Sequence, residues 1–486
     1  MQCAVLFNNV CVPSAIVERF MEALPALYIG RASMVCVPLR DCAMLSVPRI
    51  ARSFMRIAVR EGESVWRLLF AMYMQELMGP LTVHHGHCSV YTFGGTELGC
   101  IGNVSTGTCE PCEVIGLEDA GQPVDITATY DTTAVCFLDG TLYTFGHEIA
   151  RDYAGRGHPL LGRGQCDSHD ASMPAPVTGK HGDGDGGQRT VCAKQVSMGG
   201  GHMAIVTNDG HLCTCGESAE GKLGHGPFTS IADDEYSPRV VEGLVGKRVV
   251  SASASMNHTV AMTDHGEVFT WGCGNTGKLG HGCADRTKEY FPKRVEGLVG
   301  KRVVCISAGL EHTAAVTDRG ELFTWGWNFY GQCGLSETGD GESSYSKNAF
   351  HTPQCVDAFA GKRMVRVACG HYFTLALSSE GEVYAFGYAS HGQLGVGERD
   401  IIKTPTRVEA LVGHRVVQIA AGAANSAMVT SRGELFTCGK GSNWAGGTSD
   451  SRCVHTPQPV EFFEGMHVVA VACGYRHMVV LVESGA

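Results

Sequence analysis

Apolar and polar residues alternate in short runs along most of this chain. In Gly266-Glu267-Val268-Phe269-Thr270-Trp271-Gly272, Val268 and Thr270 face one way and Phe269 and Trp271 the other, which is the period of a β-strand. Gly320-Glu321-Leu322-Phe323-Thr324-Trp325-Gly326 is a near-copy. Seven such runs follow the template Gly-x-[Leu/Val]-[Phe/Tyr/Cys]-[Thr/Ala]-x-Gly. The first is 88–94, and the others open at Gly140, Gly210, Gly266, Gly320, Gly381 and Gly433. Their spacings are 52, 70, 56, 54, 61 and 52 residues. A period of that size means stacked or radially arranged units.

Each unit predicts three further strands. An apolar run such as Arg302-Val303-Val304-Cys305-Ile306 comes first, then a Gly-x-x-His segment (Gly199…His202, Gly309…His312, Gly474…His477). The templated strand follows, then a turn such as Gly277-Lys278-Leu279-Gly280, then a Pro-led strand such as Pro292…Val295. One four-stranded sheet cannot bury both its faces, but seven arranged radially can. The expected fold is therefore all-β, a seven-bladed β-propeller. The first templated strand has no His segment before it, and the last His segment has no templated strand after it. The strand at 88–95 is thus predicted to dock beside the C-terminal strands and close the ring, which removes an open edge.

The period, the Gly-x-Leu-Phe-Thr-Trp-Gly strand and the Gly-x-x-His-[Ser/Thr] segment resemble the regulator of chromosome condensation repeat family over residues 88–486. That resemblance implies a seven-bladed propeller with a split closing blade. WD-type repeats fit less well, being about 40–45 residues long with a Trp-Asp pair. None of the five Trp residues here precedes Asp.

Residues 1–87 change character. Val12, Ile16, Phe20 and Leu24 recur at helical spacing, as do Ile50, Phe54 and Ile57, then Trp66, Leu69, Phe70 and Tyr73. They predict a small α-helical N-terminal module, and domains at 1–87 and 88–486. The order Val12-Pro13, Ile16, Phe20, Leu24-Pro25, Met34-Val35-Cys36 and Val65-Trp66-Arg67-Leu68-Leu69-Phe70 resembles an F-box. The resemblance implies that Val12, Pro13, Ile16, Phe20 and Leu24 contact a Skp-type adaptor of a cullin ubiquitin ligase.

The formal net charge is −11. Residues 1–87 carry eight Arg, no Lys and six acids, or +2, which leaves about −13 on the propeller. An acidic disc is a poor match for phosphates, so direct DNA binding is not expected. The 22 Cys are scattered, and Cys213, Cys305, Cys369 and Cys473 hold strand positions, as reduced core thiols do. No secretory signal or membrane-spanning run is evident, which points to the cytoplasm or nucleus.

Candidate chemistry is sparse, and no catalytic residue, cofactor or metal site is expected. His202, His258, His312 and His477 hold one equivalent repeat position, so they should be spread around the ring, each hydrogen-bonded within its blade. His84-His85-Gly86-His87 and Cys109-Glu110-Pro111-Cys112 lack the partners a metal site needs. Gly182-Asp183-Gly184-Asp185 lacks the remaining ligands of a calcium loop. The two long spacings mark insertions near 151–189 and 337–350. Loops on a rigid scaffold tend to bind, so Arg156, His158, Asp183, Asp185, Glu337, Asp340 and Glu342 become candidate partner contacts.

Two function classes follow. One is a non-catalytic protein-interaction scaffold that, if the F-box resemblance holds, serves as a substrate receptor of a ubiquitin ligase. The other, implied by the founding member of the repeat family, is a guanine-nucleotide exchange factor for a Ran-like small GTPase. The family's exchange wedge, Ser-Phe-Arg-Asp after a Trp-Gly strand, is replaced here by Cys273-Gly274-Asn275 and Trp327-Asn328-Phe329. The Gly-Trp-Arg-His-Thr motif of light-sensing members is replaced by Gly309-Leu310-Glu311-His312-Thr313 and Gly474-Tyr475-Arg476-His477-Met478.

Overall fold

The glycines that punctuate the template sit where the backbone demands them. Gly266 ends the turn between two strands at φ +76°, and its N–H donates to the Thr263 carbonyl at 2.9 Å. A Cβ there would lie 2.7 Å from the backbone nitrogen of Val303 in the next repeat. Gly272, at φ +106°, passes under Asn257, whose carbonyl oxygen would be 2.4 Å from a Cβ. The computed structural model describes residues 4–7, 10–13, 88–94, 111–130, 132–146, 162–163, 173–180, 188–227, 234–282, 288–335, 348–440, 453–475 and 477–483. The chain separates into two units, Met1–Gly79 and Pro80–Ala486.

Each repeat folds as an antiparallel meander of four strands. Blade 3 is Val249–Ala254, His258–Thr263, Val268–Cys273 and Lys288–Arg294, paired in sequence order. Blades 1, 2, 4, 5 and 6 repeat it over 123–176, 193–240, 303–355, 364–407 and 416–459. Blade 7 is split: His467–Cys473 and His477–Glu483 are joined by Cys88–Gly94 and Cys112–Glu113. Cys88 stands opposite Glu483 and Gly94 opposite His477, so the seam runs the whole strand.

Every residue of the second and third strands of blade 3 is buried. The alternation in sequence therefore does not separate core from solvent. It separates the two neighbouring blades, each of which covers one face. The core accordingly lies between blades. Leu375 and Val383 of blade 5 pack with Ile419, Met428 and Phe436 of blade 6. Ala427 and Leu435 of blade 6 pack with Phe93 and Val480 of blade 7.

Polar latches cross the same seams. His202 Nε2 lies 2.7 Å from Thr259 Oγ1, His258 Nε2 3.0 Å from Thr313 Oγ1, and His312 Nε2 2.8 Å from Thr374 Oγ1. His477 Nε2 reaches Thr133 Oγ1 at 2.8 Å, from the last blade to the first. The sequence reading placed each partner within the histidine's own blade; the structure places it on the next. The reason is that a blade face is an interface, so a side chain on it meets the neighbour. Each threonine proton is already committed: Thr259 donates to the Lys222 carbonyl, Thr313 to Lys278 and Thr374 to Gln332. In those three seams the hydroxyl must accept from Nε2–H, so Nε2 carries a proton in His202, His258 and His312.

Burial holds these histidines below their ordinary value: His312 titrates at about 3, His477 at about 4, and His202 and His258 also well below it. The unfolded chain takes up protons near pH 6.5 that the folded chain refuses, so stability present above that pH is lost as pH falls. Asp125 acts oppositely. Burial pushes it up to about 7, so its contribution is present at low pH and is lost as pH rises through 7. The histidines outnumber it, and the melting temperature is expected to fall steadily between pH 6.5 and 4. Calorimetry across that range checks this; a flat profile contradicts it.

The innermost strand of each blade presents an unpaired edge, and side chains of the preceding blade cap it. Met198 N–H donates to Thr127 Oγ1, Ala254 N–H to Ser197 Oγ, Ala308 N–H to Ser253 Oγ and Cys369 N–H to Ser307 Oγ. On the face with the turns between second and third strands, Lys247, Lys301 and Lys362 each lie over a ring (Phe269, Phe323, Tyr384) and pair with Glu267, Glu321 and Glu382. That device repeats and belongs to the fold.

Three readings need adjustment. Val12 and Pro13 lie in a strand, Val10–Pro13, paired with Ala4–Phe7, so the helical run does not begin at Val12. Pro13 pairs with Ala4 and Val12 with Val5. Ile16, Phe20 and Leu24, with the rest of the proposed helices, lie outside the described residues. The first insertion is two segments, because Ala175–Pro176 returns as the outer strand of blade 1 in its middle. Beyond it, Thr178–Lys180 pairs with Gln188–Thr190 as a separate hairpin. Cys213, Cys369 and Cys473 are buried free thiols, while Cys305 is half-buried. Among the described residues no helix is long and apolar enough to cross a membrane.

Candidate functional site

The connections from first to second strand and from third to fourth strand emerge on one face of the ring, because His258 pairs with Gly272 and His312 with Gly326 at that end. The Gly-x-x-His segment carries one variable residue from each blade to the mouth of the central bore. Tyr130, Met256, Leu310, His371 and Tyr475 gather there around a funnel of about 100 Å³. Short bonds lock adjoining segments: Thr129 Oγ1 donates to the Gly199 carbonyl at 2.9 Å, and Ser255 Oγ to Gly309 at 2.5 Å.

Three rings meet at this mouth. Tyr130 stacks on Tyr475 at 5.0 Å and 18°, and His371 lies 6.0 Å from Tyr130 and 5.6 Å from Tyr475. The Tyr130 hydroxyl donates to Met256 Sδ at 3.5 Å. Burial lowers His371 to about 4, so the ring is neutral at pH 7.

From the mouth an aromatic belt runs outward over blades 4 and 5. His371 touches Tyr372, which touches Trp327 at 5.9 Å and Tyr330 at 5.4 Å. Trp327 stacks on Phe329 at 5.5 Å and 14°, and Tyr330 reaches Tyr388 at 4.9 Å. Phe329 is 51 % exposed, Met256 39 % and Tyr475 38 %. A buried asparagine holds the loop that carries the belt. Asn328 donates from Nδ2 to the Leu335 carbonyl at 3.1 Å and accepts from Cys333 N–H at 2.8 Å, and its own N–H donates to Asn348 at 2.7 Å.

The sequence reading inspected Trp327–Phe329 only for an exchange wedge and missed the belt. The available signal was local: in blade 4 three aromatics stand where blade 3 has Cys273, Asn275 and Thr276. What could not be read is that Tyr130, His371 and Tyr475, far apart in sequence, converge. The predicted contacts Arg156, His158, Asp183, Asp185, Glu337, Asp340 and Glu342 lie outside the described residues. The segment holding the last three springs from Leu335 and Asn348, both bonded to Asn328 beside the belt. Cys453 Sγ comes within 4.0 Å of His391 Nδ1. Among the described residues no group of three or more His, Cys, Asp or Glu is placed to hold a metal ion.

A ring of seven antiparallel blades, closed by a split blade and presenting variable residues from every repeat at one mouth, defines a β-propeller that offers a surface. Residues 89–480 match the RCC1-like domain, and the chain belongs to that family. It is 34 % identical over 286 residues to the human E3 ubiquitin-protein ligase HERC2, which covers 58 % of this chain but only 6 % of that protein. It is 29 % identical over 339 residues to the Arabidopsis thaliana ultraviolet-B receptor UVR8, covering 59 % of this chain and 74 % of that one. The crystal structure of Prp20p from Saccharomyces cerevisiae superposes with a TM-score of 0.69 at 18 % identity, covering 85 % of this chain and 94 % of that chain.

Proposed function

We propose that this protein is a non-catalytic interaction scaffold whose propeller binds a protein partner through the aromatic belt. The belt is the observation that carries the reading. Exposed, pre-packed aromatics at the centre of a rigid face are the groups that dominate protein interfaces, and large Tyr, Trp and Phe surfaces are ordered here without a partner's help. Residues 1–87 would recruit a second protein, a Skp-type adaptor, so that the whole acts as a ligase substrate receptor. HERC2, a relative of the propeller, is itself a ubiquitin ligase.

A second reading is nucleotide exchange on a small GTPase. Trp327, Phe329 and Tyr330 stand on the connection after a Trp-Gly strand, where the family's exchange wedge stands. The Prp20p structure is described together with that protein's binding to Gsp1p and histones.

Affinity capture by the full chain, by residues 88–486 and by a Phe329→Ala/Tyr475→Ala double variant separates these readings. The double variant is expected to lose the propeller's partner at least about tenfold, since each central aromatic contributes about 1–2 kcal/mol. Recovery of a Skp adaptor by the full chain alone supports recruitment by residues 1–87. Retention of a nucleotide-free GTPase both by the full chain and by residues 88–486 favours exchange. Undiminished capture by the double variant rules out the belt.

A further inference from the structure

The innermost strands also build the wall of the bore, and one wall position differs sharply between blades. After the bulge in each first strand stands Gln195 in blade 2, Gln418 in blade 6 and Arg366 in blade 5. Asp125, Ser251 and Cys305 hold it in blades 1, 3 and 4. The two glutamines complete the seam with both ends of the amide. Gln195 Oε1 accepts Ala252 N–H at 2.8 Å while Nε2 donates to the Ala252 carbonyl at 3.0 Å. Gln418 does the same to Val471, at 3.2 and 3.3 Å.

Arg366 cannot copy this, because a guanidinium has five donors and no acceptor. It forms no hydrogen bond or ion pair with any described residue. The protein around it lowers its proton affinity, yet on the innermost strand of its blade it stays only half-buried. A guanidinium stays charged in such a site, and a charge held partly away from bulk water gains from an opposite one. Further along the same wall, Thr127, Ser197 and Ser253 each accept a backbone N–H and donate to no described residue. The wall therefore offers donors to whatever occupies the bore.

The geometry points to a small oxyanion, of the phosphate or carboxylate class, held in the bore by Arg366. The planar fork of the guanidinium matches two oxygens of such a group. Two titratable groups share its level of the wall. Cys305 is a neutral thiol, because burial raises it. Asp125, which accepts Val196 N–H at 2.9 Å, opposes an anion when ionised, and burial pushes it up to about 7. This site is separate from the aromatic belt and stands whether or not the belt binds a protein.

Calorimetric titration of the full chain at pH 7 and fixed ionic strength tests it, with sodium phosphate in one arm and sodium acetate in the other. Saturable one-site binding of either anion is expected, and the arm that responds names the class. Arg366→Gln should weaken it at least about tenfold. That variant restores the glutamine of blades 2 and 6, so it should fold; Arg366→Lys, which keeps the charge and loses the fork, should fall between. Asp125→Asn, which can still accept the Val196 N–H, should tighten binding severalfold. No saturable heat with either anion means the bore holds water only and overturns the proposal. So does unchanged affinity in Arg366→Gln or, should that variant not fold, in Arg366→Lys.

Discussion

Trp271→Ala is expected to lower the unfolding free energy of the propeller by about 3–5 kcal/mol, the range for removing a large aromatic from a packed core. Trp271 has no exposed surface and packs with Leu244, Val249 and Ala261 in the seam between blades 2 and 3. Its indole N–H donates to the Lys222 carbonyl at 2.9 Å. The Gly-Lys-Leu-Gly turn closes over the ring, since a Cβ on Gly224 would stand 2.8 Å from Nε1. No nearby side chain can collapse into the space without parting two blades. Trp271→Phe separates the two contributions. It keeps most of the volume and loses the N–H, but the Lys222 carbonyl retains Thr259 Oγ1 at 2.8 Å. Its cost beyond lost volume should be about 1 kcal/mol. Trp325, which donates to Lys278 in the next seam, should behave alike. Urea unfolding monitored by circular dichroism measures all three. A loss under about 1 kcal/mol for Trp271→Ala would mean that the seam does not depend on the ring.

The second large effect concerns closure. A chain ending at Gly474 loses His477–Glu483 and should lose its single cooperative unfolding transition. That strand lies between His467–Cys473 and Cys88–Gly94, so its removal leaves both without their shared partner. It also removes Met478, Val480 and Val482 from the cluster that holds Phe93, Val468 and Phe463. The link from His477 to Thr133 is lost as well, and with it the latch between blades 7 and 1. An open ring exposes the flanks of two blades, and an exposed flank of this kind aggregates. Thermal unfolding with light scattering checks the outcome. A sharp transition near that of the full chain would show that six blades suffice. Because the closing pairs join residues about 390 apart, closure is also the contact with the greatest loop-entropy cost and should form late in folding.

The blade was legible because its constraints are local. Gly266 and Gly272 mark a turn and a crossing that no other residue tolerates, and Val268 to Trp271 alternate as a strand must. Repetition at a period near 54 turned that local pattern into an architecture. The histidines were legible as structural groups for the same reason, since four equivalents on a ring cannot be one active site. Their partners were not. Thr259 and Thr313 lie 57 and 55 residues from the histidines they bond, and only packing of one blade on another brings them within 3.0 Å. Likewise, nothing in the strand Met364–Cys369 distinguishes Arg366 from a surface arginine until the packed blades partly bury it.

The sequence by itself determined the number of blades, the order of strands within each, and the pairing of residues near 90 with residues near 480. Turn chemistry, strand alternation and the mismatch between first and last repeats are all properties of neighbouring residues or of their count. Only the tertiary structure decided which variable residues meet. Tyr130, His371 and Tyr475 occupy the same position in blades 1, 5 and 7, and a position within a repeat says how far a residue stands from the axis, not which way its side chain turns. At the axis seven blades converge on a space a few rings can fill, so sequence distance ceases to matter and shape alone sets the contacts.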